Sequence, residues 1–393
     1  FDMEVGGVER SLAAMLNNFD YNNYEVDLHL HSHTGPLLDL LPQKTNLLPQ
    51  LPTCKSYRQS IKQILLSGHL QLFFKRFFAK FQASKYGKTN QTASLGYFQM
   101  QEIWRLCVNN TQTINKNYDV AISYLWPHHF TAFNVKAKTK IAWIHTDYSI
   151  IEIDIKADLT IWKKFDHIIS ISNACTQSFL KTHPSLKSKI VVVENITSPE
   201  YVKKMSEDRC GKAFSQVSFN IYFNNLVSVG RLCNAKAYDR AVDALNVIHQ
   251  KGFTNINWYI VGEGGDRSKI EALISKYNLQ DNFVLLGSTT NPYPYMKAAD
   301  IYVQPSRYEG KAVTIAEAQI LAKPILITNY STSTSQISHN IDGIICEQSI
   351  DDIADAIIKL FQDDTLRSDL STHCKKQDYS NKEELASLYD LFD

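Results

Sequence analysis

The stretch Ser306–Pro324, SRYEGKAVTIAEAQILAKP, decides how the rest of the chain is read. The apolar run ahead of it, Ala299-Asp300-Ile301-Tyr302-Val303, has the length and character of a short buried strand. A loop containing Glu309-Gly310 follows, then a helical pattern from Val313 to Leu321, then a second extended run, Pro324–Thr328. Strand, loop, helix and strand in this order make the repeating unit of a parallel sheet. Glu309 lies in the loop and Glu317 lies inside the helix. Between them the helix start offers free N–H groups and a partial positive charge, which together bind anions. Either acid by itself reads more simply as a solvated surface charge.

The same alternation fills the second half. Asn225–Gly230 reads as a strand, Arg231 to Lys236 as a loop and Ala237 to Lys251 as a helix. Trp258–Val261 is a strand that ends at Gly262-Glu263-Gly264-Gly265, and a helix (Arg267–Tyr277) and a strand (Phe283–Leu286) follow. Open parallel sheets bind ligands outside the carboxyl ends of their strands. That rule gathers Arg231 and Lys236, the glycine turn, and Glu309 with Gly310. Arg231 and Lys236 have no neighbouring acid before Asp239, and such a pair clamps a diphosphate and neutralises it as it leaves. The Gly262–Gly265 turn lacks the third glycine of a dinucleotide fingerprint. It reads as a tight turn near a nucleotide, with Gly262 and Glu263 as candidate contacts. Carboxylates, cations and a helix start together suit a nucleotide sugar.

The first half has the same grammar. Strands are expected at 24–32, 119–124, 140–144, 167–172 and 191–193, with helices between most of them. The 140–144 strand delivers His145 to its carboxyl end. A lone histidine there is more often structural, although it is also placed to bind a sugar hydroxyl or a leaving oxygen. Gly6-Gly7 forms a loop ahead of an amphipathic helix, Val8 to Leu16. A buried strand is expected before such a loop, so the sequence reads as beginning at or just after its first strand. Glu152-Ile153-Asp154 is the only approach to a metal-holding Asp-x-Asp pair, and it reads as helix-start charge. No metal ligands are assigned.

A chain of 393 residues suggests two domains. Periodicity is lost over 196–220, a linker. Net charge of +1 gives no field for nucleic acid. Seven scattered cysteines, without a CxxC pair, point to a reducing cytosol. No signal peptide and no apolar run of membrane-spanning length is seen. From Leu40 to Gln101 there are nine Lys or Arg and no acid. Within that segment Ile61–Phe81 reads as an amphipathic helix or a helical hairpin broken near Gly68. Phe73, Phe74, Phe77, Phe78 and Phe81 stand there beside Lys75, Arg76 and Lys80. That composition suits peripheral contact with an anionic membrane as well as it suits a core helix with a basic face.

These residues resemble those of the retaining family-4 glycosyltransferases of the GT-B fold, of the bacterial capsular and exopolysaccharide type. The resemblance covers nearly the whole chain and is strongest from Val227 to Cys346: VSVGRLCNAK (227–236), YIVGEGG (259–265), AADIYVQPSRYEG (298–310), the Glu309/Glu317 spacing and KPILITN (323–329). GGVER (6–10) and IAWIH (141–145) match more weakly.

The resemblance implies an α/β protein of two Rossmann-like, doubly wound domains facing a central cleft. Residues 1–198 would bind acceptor, 199–366 the nucleotide sugar, and 367–393 would form a helical tail returning toward the first domain. Glu309 would hydrogen-bond the donor sugar, helped by backbone N–H groups of Gly310, Lys311 and Ala312. Glu317 would bind ribose and Arg231 and Lys236 the diphosphate. His145 would sit by the transferred sugar, and Gly7 would let backbone approach the substrates. The implied reaction is metal-independent, needs no cofactor, retains anomeric configuration and moves a sugar, favouring a UDP-linked donor, to a lipid-linked or polymeric cell-surface glycan. It would run in the cytoplasm, with peripheral attachment to the inner face of the plasma membrane. Two departures stand out: Ala237 where glycine commonly follows the lysine, and Lys311-Ala312 in place of an aromatic-glycine pair. A nucleotide-sugar epimerase of the same fold and a non-catalytic glycan-binding subunit are the alternative readings.

Overall fold

The computed structural model describes residues 2–4, 6–57, 61–66, 70–90, 95–207 and 224–392. The expected helix break near Gly68 and the second half of the expected linker lie outside them. The chain forms two compact units: Phe1–Glu4, Phe19–Glu194 and Glu383–Asp393 make the first, and Val5–Asn18 with Asn195–Lys382 the second. Helix Gly7–Asn17 therefore clusters with the second unit, and the terminal helix Glu384–Tyr389 with the first.

The first unit carries a short parallel pair, β1 (Asp27–Leu28) and β2 (Asn46–Leu47), and a four-stranded parallel sheet. That sheet holds β3 (Asn117–Ser123), β4 (Lys136–Ile144), β5 (His167–Ser170) and β6 (Ile190–Val192) in sequential order. The strand expected over 24–32 shrinks to β1. Beyond it, His29 stacks on Phe130 at 4.6 Å and His31 packs on Trp104 at 5.2 Å.

The second unit is built on β7 (Asn224–Val229), β8 (Ile256–Val261), β9 (Phe283–Gly287), β10 (Ile301–Gln304), β11 (Ile325–Thr328) and β12 (Ile344–Cys346). Alternate residues of β8 go to opposite faces. Trp258 and Ile260 join one core with Leu245 and Ile357, while Tyr259 and Val261 join another with Tyr302 and Ile315. Helices cover both faces, so the strands read as unbroken apolar runs. The spatial order is β12-β11-β10-β7-β8-β9, all parallel. The expected class, α/β with a larger parallel sheet in each of two units, is what the chain forms. Strand order reverses between β7 and β10, which pair at Leu226–Ile301 and Val227–Tyr302. Loops leaving two such strands diverge, and ligands bind in the crevice between them.

In the first unit, helix Leu70–Asn90 inverts the usual burial. Ala79 and Ala83 are buried, and Ala79 packs with Ile103 and Cys107. Phe74, Phe77, Phe78 and Phe81 are 45–64% exposed. Phe73 and Arg76 are half-buried, and Lys75 is turned aside to Asn110. No helix among the described residues is long and apolar enough to cross a membrane.

Candidate functional site

The site grows from the ends of β7 and β10. Gly230 follows β7, and a Cβ there would lie 2.9 Å from Cε of Lys236. Glycine thus lets the lysine fold back over the strand end. The loop from 231 to 236 lies backbone on backbone against the turn after β8. A Cβ on Gly262 would meet the Gly230 carbonyl oxygen at 1.9 Å, and one on Gly264 would meet that of Leu232 at 2.3 Å. These glycines are required for loop packing. Glu263, expected near a nucleotide, pairs with Arg267 at 2.6 Å.

Ala237 ends the loop at φ 55°, ψ 35°, fully buried. This is the left-handed region, where an L-residue other than glycine costs about 1 kcal/mol or more. The departure from glycine seen in the sequence is therefore a strained alanine.

Lys236 and Glu309 meet. Nζ of Lys236 donates to Oε1 of Glu309 at 2.6 Å, with the side chains 17% and 12% exposed. The same oxygen accepts from Ser306 Oγ at 2.6 Å and Gln304 Nε2 at 2.8 Å. Oε2 of Glu309 has no hydrogen-bond donor among the described residues. One oxygen is fixed by protein and the other is left for a ligand hydroxyl. Gln304 and Ser306 escaped the sequence reading, though both stand in the strand-end run QPSRYEG.

Arg307 was also missed, and it locks the two loops together. Its backbone N–H donates to the Ala235 carbonyl at 2.8 Å, and Nη1 donates to that of Asn234 at 2.8 Å. Its guanidinium grips Asp239 in a fork at 2.9 and 2.8 Å, the geometry that favours arginine over lysine. Burial raises the Asp239 pKa, but hydrogen bonds from Arg307 and Lys269 outweigh it and hold the carboxyl well below the usual range. Arg231 is exposed and forms no ion pair among the described residues.

Helix Val313–Ile320 starts without a side-chain cap. The Ala312 N–H, expected to face a sugar or phosphate, donates to Gln336 Oε1 at 3.0 Å, and Gln336 returns a bond to the Ala312 carbonyl at 2.9 Å. Gly310 has no such partner among the described residues. Lys311 is half-buried. Gly7 lies at this helix start, its Cβ position 3.9 Å from Cγ2 of Val313.

Glu317 lies within that helix, and its side chain is 1% exposed. Arg10 Nη1 donates to its two oxygens at 3.3 and 3.1 Å, and Tyr293 Oη donates at 2.8 Å. Both of its oxygens thus accept from an arginine 307 positions away.

His145 belongs to the first unit, at the end of β4. Its ring lies parallel to Trp143 at 5.9 Å and tilted against Tyr124 at 4.6 Å, and Nε2 is buried without a partner among the described residues. Burial lowers its pKa to about 3, so the ring is neutral at physiological pH. It lines an apolar pocket with Trp126, Trp143, Tyr148 and Trp162. Buried Asp158 holds that wall in place. It accepts from Trp126 and Trp162 Nε1, each at 2.9 Å, from Tyr148 Oη at 3.1 Å and from His183 Nε2 at 3.0 Å. Asp154 caps helix Ile155–Trp162 by accepting from the N–H groups of Lys156 and Ala157. No group of three or more metal-ligating side chains occurs among the described residues.

Residues 215–377 match the family described as Glycosyl transferases group 1. The chain is 27% identical over 169 residues to a poly(ribitol-phosphate) alpha-N-acetylglucosaminyltransferase of Staphylococcus aureus, which is 42% of this chain and 34% of that protein. It is 27% identical over 173 residues to the capsular polysaccharide biosynthesis glycosyltransferase CapM of Staphylococcus aureus, 42% of this chain and 45% of that one. The chain thus spans less than half the length of these curated relatives. In structure it is similar over 99% of its length to 98% of Anabaena Alr3699/HepE in complex with UDP and glucose, with a TM-score of 0.66 and 14% identity. That likeness is one of fold, the GT-B fold. Both loops at the strand reversal lie within the matched segment, so residues 215–377 carry the sequence pattern of the glycosyl transferases group 1 family.

Proposed function

We propose that the chain transfers a sugar from a nucleoside-diphosphate sugar, UDP-linked, to a lipid-linked or polymeric glycan of the cell envelope, with retention of configuration. The observation that carries this is the divided Glu309 carboxylate. Oε1 is fixed by Lys236, Ser306 and Gln304, and Oε2 is left for a donor-sugar hydroxyl. Residues 199–366 hold the donor, and residues 1–198 serve the acceptor.

In this reading Lys236 and Arg231 neutralise the diphosphate as the bond from the anomeric carbon to its oxygen breaks. The Gly310 N–H and the uncapped helix start add partial positive charge at the same point, so the electrostatic task needs no metal. The acceptor hydroxyl attacks from the face the diphosphate leaves, and its proton passes to the departing phosphate oxygen. No separate protein base is then required. In the first unit, neutral His145 is a hydrogen-bonding group for a sugar hydroxyl, since a ring with a pKa of about 3 carries no proton to donate as an acid.

The acceptor class is supported by the poly(ribitol-phosphate) and the capsular polysaccharide that the names of the two Staphylococcus relatives carry. The outward phenylalanines of helix Leu70–Asn90, with exposed Lys80, Lys85 and Lys88, support peripheral contact with an anionic membrane at its cytoplasmic face. Incubating the protein with a panel of nucleotide sugars, with and without membrane extract, tests the reading. Release of UDP and a product of unchanged anomeric configuration is expected. Isomerised donor, or no turnover of any donor, would contradict it.

A further inference from the structure

The pocket beside His145 stands at the carboxyl end of β4, where a parallel sheet receives ligands. Of its lining residues, Trp143, Tyr148 and Trp162 are buried, while Tyr97, Trp126 and His145 are partly exposed and leave it a mouth. Its cavity of about 10 Å³ takes a group the size of one water or one methyl. The indole N–H groups of Trp126 and Trp162 and the Tyr148 hydroxyl are all given to Asp158. What these three rings offer a ligand is therefore carbon surface. Two buried side-chain nitrogens of the lining have no partner among the described residues, Trp143 Nε1 and His145 Nε2. The indole nitrogen can only donate, and a neutral imidazole donates from one of its two nitrogens. A buried N–H that gains no hydrogen bond is costly. A small apolar cavity beside two such nitrogens is the complement of a methyl group joined to a carbonyl.

We propose that this pocket is a subsite for the acetamido group of an N-acetylated sugar in the acceptor. The methyl fills the cavity against the aromatic wall. The carbonyl oxygen, with two lone pairs, accepts from Trp143 Nε1 and from His145 protonated on Nε2. The two rings lie parallel, 5.9 Å apart, on the same side of β4, so one oxygen serves both. A hydroxyl in place of the acetamido group supplies no methyl for the cavity, and the pocket thereby selects between the two sugars. Asp158 is the positioning residue of this subsite, since it holds three of its rings. The subsite rests on the assignment of residues 1–198 to the acceptor and deepens it.

Saturation-transfer NMR and tryptophan fluorescence on the full chain test it. The probes are the methyl glycosides of N-acetylglucosamine and N-acetylgalactosamine, each beside the glycoside of its parent hexose. Three of the five tryptophans line the pocket, so its filling is visible in the emission. At least one N-acetylated glycoside should bind about tenfold or more tightly than its parent, with the strongest saturation on the acetamido methyl. Trp143→Phe keeps an aromatic ring and removes the donor. It should lower affinity for that probe by about tenfold, leave the parent hexose unchanged and leave the circular dichroism spectrum as it was. Equal binding within both pairs, no binding of any glycoside, or an acetamido methyl no more saturated than the ring protons would overturn the subsite. So would a preference for UDP-N-acetylglucosamine over UDP-glucose with none among the free glycosides, which would move the acetamido group to the donor. Failure of the protein to bind UDP would overturn the donor reading alone, because the glycosides are titrated without nucleotide.

Discussion

Nζ of Lys236 lies 2.6 Å from Oε1 of Glu309, joining the loop after β7 to the loop after β10 where the strand order reverses. A lysine with two donors to spare and a carboxylate with one oxygen to spare thus share one crevice. Each partner limits the other's rotamers, which favours a pre-organised site.

Glu309→Gln keeps the shape of the side chain but removes its charge. If Oε2 holds a donor-sugar hydroxyl in the transition state, the transfer rate should fall by about a hundredfold. Steady-state kinetics with a fixed acceptor check this, and a rate close to that of the unmodified protein would remove Glu309 from the reaction.

Arg307→Ala should loosen the 231–236 loop. The fork to Asp239 is largely buried, at 20% and 16% exposure, so its loss should lower stability by about 1–3 kcal/mol. Donor KM should rise as well. Denaturant unfolding and donor titration measure the two effects, and Arg307→Lys should restore neither fully because lysine lacks the fork.

Ala237→Gly should do the opposite. Relief of the left-handed alanine is expected to raise stability by about 0.5–1 kcal/mol, seen as a higher denaturation midpoint with little change in turnover. Ala237→Val should destabilise the protein more strongly than a buried alanine-to-valine change elsewhere.

Acid should destabilise the first unit. Burial lowers His29 and His129 to about 4 and His145 to about 3. These rings are neutral when folded, while the unfolded chain takes up protons below about 6.5. Their stabilising effect is therefore complete above about pH 6.5 and is lost as pH falls toward 4 and then 3. Melting temperature should fall steadily from pH 7 to pH 4.5, and His129→Leu should flatten the curve.

Helix Leu70–Asn90 should bind phosphatidylglycerol vesicles in preference to phosphatidylcholine vesicles. Lys80→Glu/Lys85→Glu and a rise in salt from about 0.05 to about 0.5 M should weaken binding through charge. Phe77→Ser/Phe81→Ser should weaken it at every salt concentration. Co-sedimentation reads both, and equal binding to the two lipids would rule out the anionic surface.

The strands around Ser306–Pro324 were legible because a sheet covered on both faces writes its strands as short apolar runs. Lys236 and Glu309 were legible singly, each at a strand end, while their meeting depended on β7 and β10 being neighbours. Arg10 and Glu317 stand 307 positions apart, and no local pattern pairs them. Gly262 and Gly264 were visible as a turn, but only the approach of the Gly230 and Leu232 carbonyls explains them. In Leu70–Asn90 the periodicity marked a face without saying which face turns inward. Ala79 and Ala83 turn inward because small side chains let helix Gly96–Cys107 come close, and the phenylalanines are left outside.

Calorimetric titration of the full chain and its Lys236→Ala variant with UDP tests the diphosphate site most directly. The unmodified protein should bind UDP at a single site, and the variant should bind it about tenfold or more weakly, with a smaller dependence on salt. Equal affinity in the two proteins, or no binding in either, would contradict a diphosphate site at the β7–β10 reversal.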